Sequence, residues 1–130
     1  MAHYESPQQA LQVWLDAVNA ADVKTVTAMY KEDAVLLPTF SNKRLTTPEG
    51  RWGYFERVGG KPQLSVELHK RTLVVQQFSE NIYGLCGIYL WKFEEDEDLL
   101  SFEARFTYTM DLSREDPILH HHSSQIPRTV

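Results

Sequence analysis

The sequence predicts an α+β fold in which three helices pack on a strongly curved, mainly antiparallel sheet. Three observations carry that expectation. Apolar residues at helical spacing stop at Val58. Strand-like alternation takes over from Leu64. Turn residues then divide the second half into a meander, and helices segregated from strands in this way define the α+β class.

The first helix starts at Ser6-Pro7-Gln8-Gln9. It has a capping serine, a proline at the first helical position, and a glutamine placed to close a capping box. Leu11, Trp14, Leu15 and Val18 follow at i, i+3, i+4 and i+7, which makes one apolar face. Asn19-Ala20-Ala21 is an elbow, and Asp22 caps a second helix carrying Val23, Val26 and Tyr30. Ala34-Val35-Leu36-Leu37 reads as a brief strand ended by Pro38, and Thr39 to Thr46 is polar and irregular. Thr47-Pro48-Glu49 repeats the helix-start signal, with Trp52, Phe55 and Val58 as the apolar side of a third helix. Gly59-Gly60 should end that helix with a residue at positive φ.

Leu64, Val66 and Leu68 alternate with Ser65, Glu67 and His69, and Leu73 to Phe78 continues as strand up to a turn at Ser79-Glu80-Asn81. Ile82 to Phe93 is apolar on both faces and suits a central strand covered on both sides. Glu94-Glu95-Asp96-Glu97-Asp98 reads as a solvated hairpin tip, because nothing near it would fix ligands around a metal. From Leu100 to Leu112 the alternation is unbroken. Phe102, Ala104, Phe106, Tyr108 and Met110 take one face; Glu103, Arg105, Thr107, Thr109 and Asp111 take the other. Ser113 to Pro117 turns the chain, and Ile118 to Ser124 returns as the last strand.

At 130 residues the chain suits one domain, 1–130. Its 42% hydrophobic and 24% charged residues are ordinary for a globular protein and argue against disorder. A formal charge of −5 leaves no footprint for a nucleic-acid backbone. No apolar run reaches the length of a membrane span, and Met1-Ala2-His3-Tyr4-Glu5 lacks a signal layout, so the expected address is cytoplasmic with no membrane partner. Cys86, the only cysteine, excludes an intrachain disulfide and reads as a core thiol. No cofactor motif or metal-ligand spacing stands out.

Tyr30-Lys31-Glu32-Asp33-Ala34-Val35 places an aromatic before an Asp-Ala step into the first strand. In this it resembles the nuclear transport factor 2-like superfamily, the cone-shaped fold of SnoaL-like polyketide cyclases and ketosteroid isomerases. Arg105-Phe106-Thr107-Tyr108 and Ile118-Leu119-His120-His121-His122-Ser123-Ser124-Gln125-Ile126-Pro127 are nearer to the association domain of calcium/calmodulin-dependent protein kinase II and its stand-alone relatives of the SgcJ/EcaC group. That resemblance implies self-association as a homodimer or larger. It also implies a deep pocket where Arg105 can pair with a carboxylate of a small-molecule ligand.

The polar face of the Leu100–Leu112 strand is therefore expected to line the cone, with Arg105 offering its planar donor fork to an anion and Thr107 beside it. The alternative is a face turned to solvent or a partner subunit, with Glu103 or Asp111 pairing Arg105. On a strand His120 and His122 share one face and His121 takes the other. Pairing Arg105 with Ser124 puts His120 and His122 beside it, whereas a slip of one residue substitutes His121. Tyr30, Trp52 and Tyr89 could wall an apolar cavity or be plain core. Asp33 reads as a turn or capping residue, although isomerases of this fold use a buried carboxylate. Three functions follow: a binding module for a small anionic or polar ligand, an isomerase, cyclase or dehydratase using His120, His122 or Asp33 for proton transfer, and a purely structural assembly unit.

Overall fold

The computed structural model describes residues 4–127. The signal reading of Met1 to His3 and the tail from Arg128 to Val130 fall outside them. Ser6 begins α1 (Pro7–Asn19), its hydroxyl accepting the Gln9 N–H at 3.0 Å. The Gln9 side chain reaches back one residue further than a capping box requires and accepts from the Glu5 N–H at 2.6 Å. Asp22 caps α2 (Val23–Ala28) through the Thr25 N–H. Thr47 caps α3 (Pro48–Gly59) through the Gly50 N–H.

Two helix readings need correction. Tyr30 does not continue α2; it opens β1 (Tyr30–Leu37), which starts earlier than its apolar run suggests. On α3 the buried stripe is Arg51, Tyr54, Phe55 and Val58, so Trp52 lies off the stripe and is 42% exposed. The helix ends at Gly60 with φ −81°, an ordinary right-handed geometry, and not at positive φ. Left-handed backbone falls instead on Ala21, Gln63, Asp96 and Glu97. The last two form the two-residue link of a hairpin, where two positive φ values match the twist of the flanking strands.

The remaining strands are β2 (Ser65–Leu68), β3 (Val74–Gln77), β4 (Ile82–Glu95), β5 (Asp98–Asp111) and β6 (Ile118–Gln125). A single 3₁₀ turn, Lys70–Thr72, separates β2 from β3. The sheet order is β1-β6-β5-β4-β2, with β3 also pairing β4. All neighbours are antiparallel except β1 and β6, which run parallel. The last strand thus sits inside the sheet, between the first strand and the long β4–β5 ribbon.

All three helices lie on one face of this sheet. Trp14 of α1 makes ring contacts with Phe55, Tyr89, Trp91, Tyr108 and His121, at centroid distances of 5.4–6.2 Å. Leu85, Tyr89 and Trp91 of β4 join Ala104, Phe106, Tyr108 and Met110 of β5 in the same core. Aromatic side chains supply much of that interior, and edge-to-face pairs are favoured by the ring quadrupole. Among the described residues no helix lies on the opposite face of the sheet. Central strand β4 is consequently covered on one side only, and Cys86, Ile88 and Leu90 on its bare side are half-buried.

Arg51 ties α3 to β1. Although it is 1% exposed, its guanidinium meets no carboxylate among the described residues and instead donates to the carbonyls of Ala34 at 2.7 Å and of Lys31 and Glu32 at 3.0 Å. Arg51→Met should keep most of the packing while stripping these carbonyls of their donors. We expect a loss of about 3 kcal/mol in urea unfolding, since unsatisfied buried polar groups cost about 1–3 kcal/mol each.

Candidate functional site

Alternation along β5 divides the candidate residues between two faces. Arg105 pairs with Ser124, Thr107 with His122 and Thr109 with His120. This is the unslipped register, and it puts His120 and His122 on the face of Arg105. That face is the helix-free one, because Phe106 and Tyr108 take the covered side. The expectation that the polar face lines the inside of the cone is therefore corrected. An α+β sheet sends its apolar alternate to the helices and its polar alternate away from them.

The seven pocket residues expected from sequence do not share one pocket. Arg105, Thr107 and His122 gather, with Thr72, Cys86 and Ser124, around an open concavity of about 460 Å³ on the bare face. His120 lies on the same face beside Thr109. Among the described residues no carboxylate pairs with Arg105, so neither Glu103 nor Asp111 neutralises it. Tyr30 and Tyr89 are buried inside the cone. Trp52 faces solvent on α3 and donates to Glu56. Asp33 is exposed, and its hydrogen bond and ion pair with Lys31 hold its carboxyl below the usual range.

The interior is filled, and its polar atoms form a chain. The Trp14 indole N–H donates to the Tyr30 hydroxyl at 3.1 Å, and that hydroxyl lies 2.7 Å from His121 Nδ1. His121 Nε2 lies 3.2 Å from the Tyr89 hydroxyl, which donates to Ser123 Oγ at 2.6 Å. Ser123 in turn makes a short hydrogen bond with Thr39 Oγ1. His121 also stacks on Tyr108 at 3.9 Å. Burial first, and then the flanking His120 and His122, push the His121 pKa well below 6.5. Burial likewise raises the phenols of Tyr30, Tyr89 and Tyr108.

The chain of hydroxyls ends near a second concavity, of about 380 Å³, at the open end of the cone. Phe40 from the loop after β1, Tyr54 and Arg57 from α3, and Phe93 and Phe102 from the β4–β5 ribbon line it, with Lys61, Glu95 and Gln125 at its edge. Phe40 stands edge-on to both Phe93 and Phe102 at 5.3 Å. Lys61 pairs with Glu95 at 3.2 Å, whereas Arg57 makes no ion pair among the described residues. Sequence reasoning missed this mouth. Its one local signal is Phe40, an aromatic residue stranded in the polar stretch Thr39–Thr46. Among the described residues no group of three or more His, Cys, Asp or Glu side chains gathers where a metal could be held.

A family model described as the calcium/calmodulin dependent protein kinase II association domain matches residues 8–127. No curated protein matches the chain. Among solved structures, one from Xanthomonas campestris carries the provisional name of such an association domain. It is 24% identical with a TM-score of 0.82, covering 92% of this chain and 85% of that one. The association domain of the C. elegans kinase is 16% identical with a TM-score of 0.72, covering 90% and 91%. A ketosteroid isomerase-like protein from Erwinia carotovora atroseptica is also 16% identical with a TM-score of 0.72, covering 93% and 94%. At these identities the structural likenesses speak for the fold, a nuclear transport factor 2-like cone.

Burial of His121 sets a pH dependence. Its folded pKa lies below its unfolded value, so below about pH 6.5 the unfolded chain binds the extra proton. Stability is fully present above that pH and falls as pH drops below it, by up to about 1.4 kcal/mol per pH unit. Urea titrations from pH 8 down to pH 5 should show this slope in the wild type, and His121→Phe should flatten it.

Proposed function

Because the chain belongs to the calcium/calmodulin dependent protein kinase II association-domain family, we propose that it is a self-associating domain that binds a small anionic organic molecule in the mouth of its cone. The observation that carries the ligand half is the mouth itself. Three phenylalanine rings wall it, and the guanidinium of Arg57, which makes no ion pair among the described residues, stands at its rim. Binding sites for small molecules are commonly concave and mostly apolar with a few polar groups that fix orientation. A planar carboxylate suits this arrangement, with its apolar part among the rings and its charge toward Arg57.

The self-association half draws on the family and on the bare sheet face. That face carries half-buried Ile88 and Leu90 on β4, and Val74 and Phe78, 53% and 59% exposed, stand at the neighbouring edge. Apolar side chains grouped on an uncovered sheet suit a second copy of the chain better than water. A second ligand reading remains at the concavity of Arg105, Thr107 and His122, with His120 nearby, favoured by the guanidinium of Arg105, which pairs with no carboxylate among the described residues. The proton-transfer reading has less support. The one carboxylate at the mouth, Glu95, is engaged by Lys61, and the buried His121 is enclosed by tyrosines.

Two measurements test the proposal. Calorimetric titration with benzoate should show saturable binding that Arg57→Gln weakens about tenfold or more and Arg105→Gln leaves unchanged. The reverse pattern would move the ligand to the sheet face. Sedimentation should give a dimer or larger species, and Ile88→Lys should weaken that assembly by at least about tenfold, since a charge buried in an interface core is strongly unfavourable. A monomeric wild type would sink the self-association half.

A further inference from the structure

We infer that Phe40 sets the depth of the mouth and thereby selects carboxylates carrying a single ring over longer, two-ring ones. This rests on the reading of the mouth as the ligand site and adds the size class that the site accepts.

Phe40 touches rings on both sides of a boundary. It stands edge-on to Phe93 and Phe102, which line the mouth, and also to Trp91, which does not, at 5.4 Å. Trp91 lies two residues before Phe93 on the same face of β4 and pairs across the ladder with Phe102. It continues the aromatic wall inward, yet it is 1% exposed. Its neighbours Trp14 and Tyr89, at 6.1 and 5.5 Å, belong to the filled core. Among the described residues, Phe40 is the ring that stands against Trp91 from the mouth side. Without that ring the wall would run on from Phe93 to Trp91. In the wild type, a ligand anchored at Arg57 has room for one ring ahead of Phe40, and a second ring in line meets it.

The backbone that carries this ring is anchored independently of it. Leu36 and Leu45 exchange backbone hydrogen bonds at 2.9 and 2.8 Å and close the loop at its base. The Thr39 hydroxyl is tied to Ser123 of β6, and the Phe40 N–H reaches the Tyr54 hydroxyl at 3.4 Å. None of these contacts uses the phenyl group. Trimming the side chain therefore leaves the loop in place with space beneath it, since packed surroundings close only partly around a deleted ring. Phe40 is also half-buried on a loop, whereas Trp91, Phe93 and Phe102 sit on paired strands. The plug is thus the adjustable part of the site and the strands are its fixed wall.

Calorimetry with benzoate and biphenyl-4-carboxylate on the wild type and Phe40→Ala tests this. The wild type should bind the biphenyl acid at least about tenfold more weakly than benzoate, and Phe40→Ala should bind it at least about tenfold tighter than the wild type does. Phe40→Leu, a milder truncation, should move the same way by less, and it carries the test if the alanine variant does not fold. The Trp91 indole N–H has no hydrogen-bond partner among the described residues. Its proton–nitrogen NMR resonance should shift when the biphenyl acid binds Phe40→Ala and stay in place when benzoate binds the wild type. Equal affinity for the biphenyl acid in the wild type and both variants overturns the inference, as does a gain that leaves the Trp91 resonance unmoved. Toluene separates the plug from the reading beneath it, since Phe40→Ala should take it into the vacated space and the wild type should not. If no carboxylate binds either protein, the mouth is not the ligand site and the selection falls with that reading. Toluene binding by Phe40→Ala alone then still identifies Phe40 as the plug, and toluene binding by neither removes that as well.

Discussion

The enclosure of one imidazole organises this molecule. His121 is 2% exposed in a core otherwise made of aromatic and aliphatic side chains, and both of its ring nitrogens need partners there. One partner comes from the first residue of β1 and the other from the middle of β4. The stacking ring comes from β5 and the perpendicular one from α1. Satisfying one side chain thus sets the position of four elements relative to β6. A slip of β6 by one residue would leave two tyrosine hydroxyls and an imidazole without their partners, a stronger specification of register than apolar packing alone provides.

The same strand shows why the two sides of the sheet differ in kind. His120 and His122 flank His121 in sequence yet lie on the bare face, beside residues that water can reach. Neighbours of identical chemistry are divided into an outer pair and an inner one by the pleat. Most polar atoms of the inner face are chained together. Even so, the Tyr108 hydroxyl and the Trp91 indole N–H find no hydrogen-bond partner among the described residues.

Much of the fold was legible because it is written locally. Ser6-Pro7 and Thr47-Pro48 announce helix starts through backbone chemistry that needs no tertiary context. The alternation of β5 and the Asp96-Glu97 tip give a hairpin whose register follows from the turn. The register of β5 against β6 was not fixed by the sequence, which allows Arg105 to pair with Ser124 or to slip by one residue; the structure takes the first. The face to which that pairing points was not legible either, since alternation tells two faces apart without saying which one the helices cover. Tyr30 was misread because a tyrosine at helical spacing from Val26 looks the same whether the helix continues or a strand begins. Arg51 sat unnoticed in a helix where an arginine is ordinarily exposed, and its burial depends on three carbonyls from another element. The mouth was the least legible part, since Phe40, Tyr54, Phe93 and Phe102 come from separate segments with no shared spacing.

The seat of β6 between β1 and β5 has a consequence for how the chain acquires its structure during synthesis. Of the described strands, the one that joins the two halves of the sheet leaves the ribosome last. Until it emerges, β1 is held only by the short bridge of Leu36 to Leu45 and β5 presents an open edge over most of its length. Contacts between residues this far apart in sequence form slowly, and unpaired edges are sticky in the interval. The nascent domain is therefore most exposed to misassembly in the interval after β5 has emerged and before β6 has, while the sheet is still in two pieces.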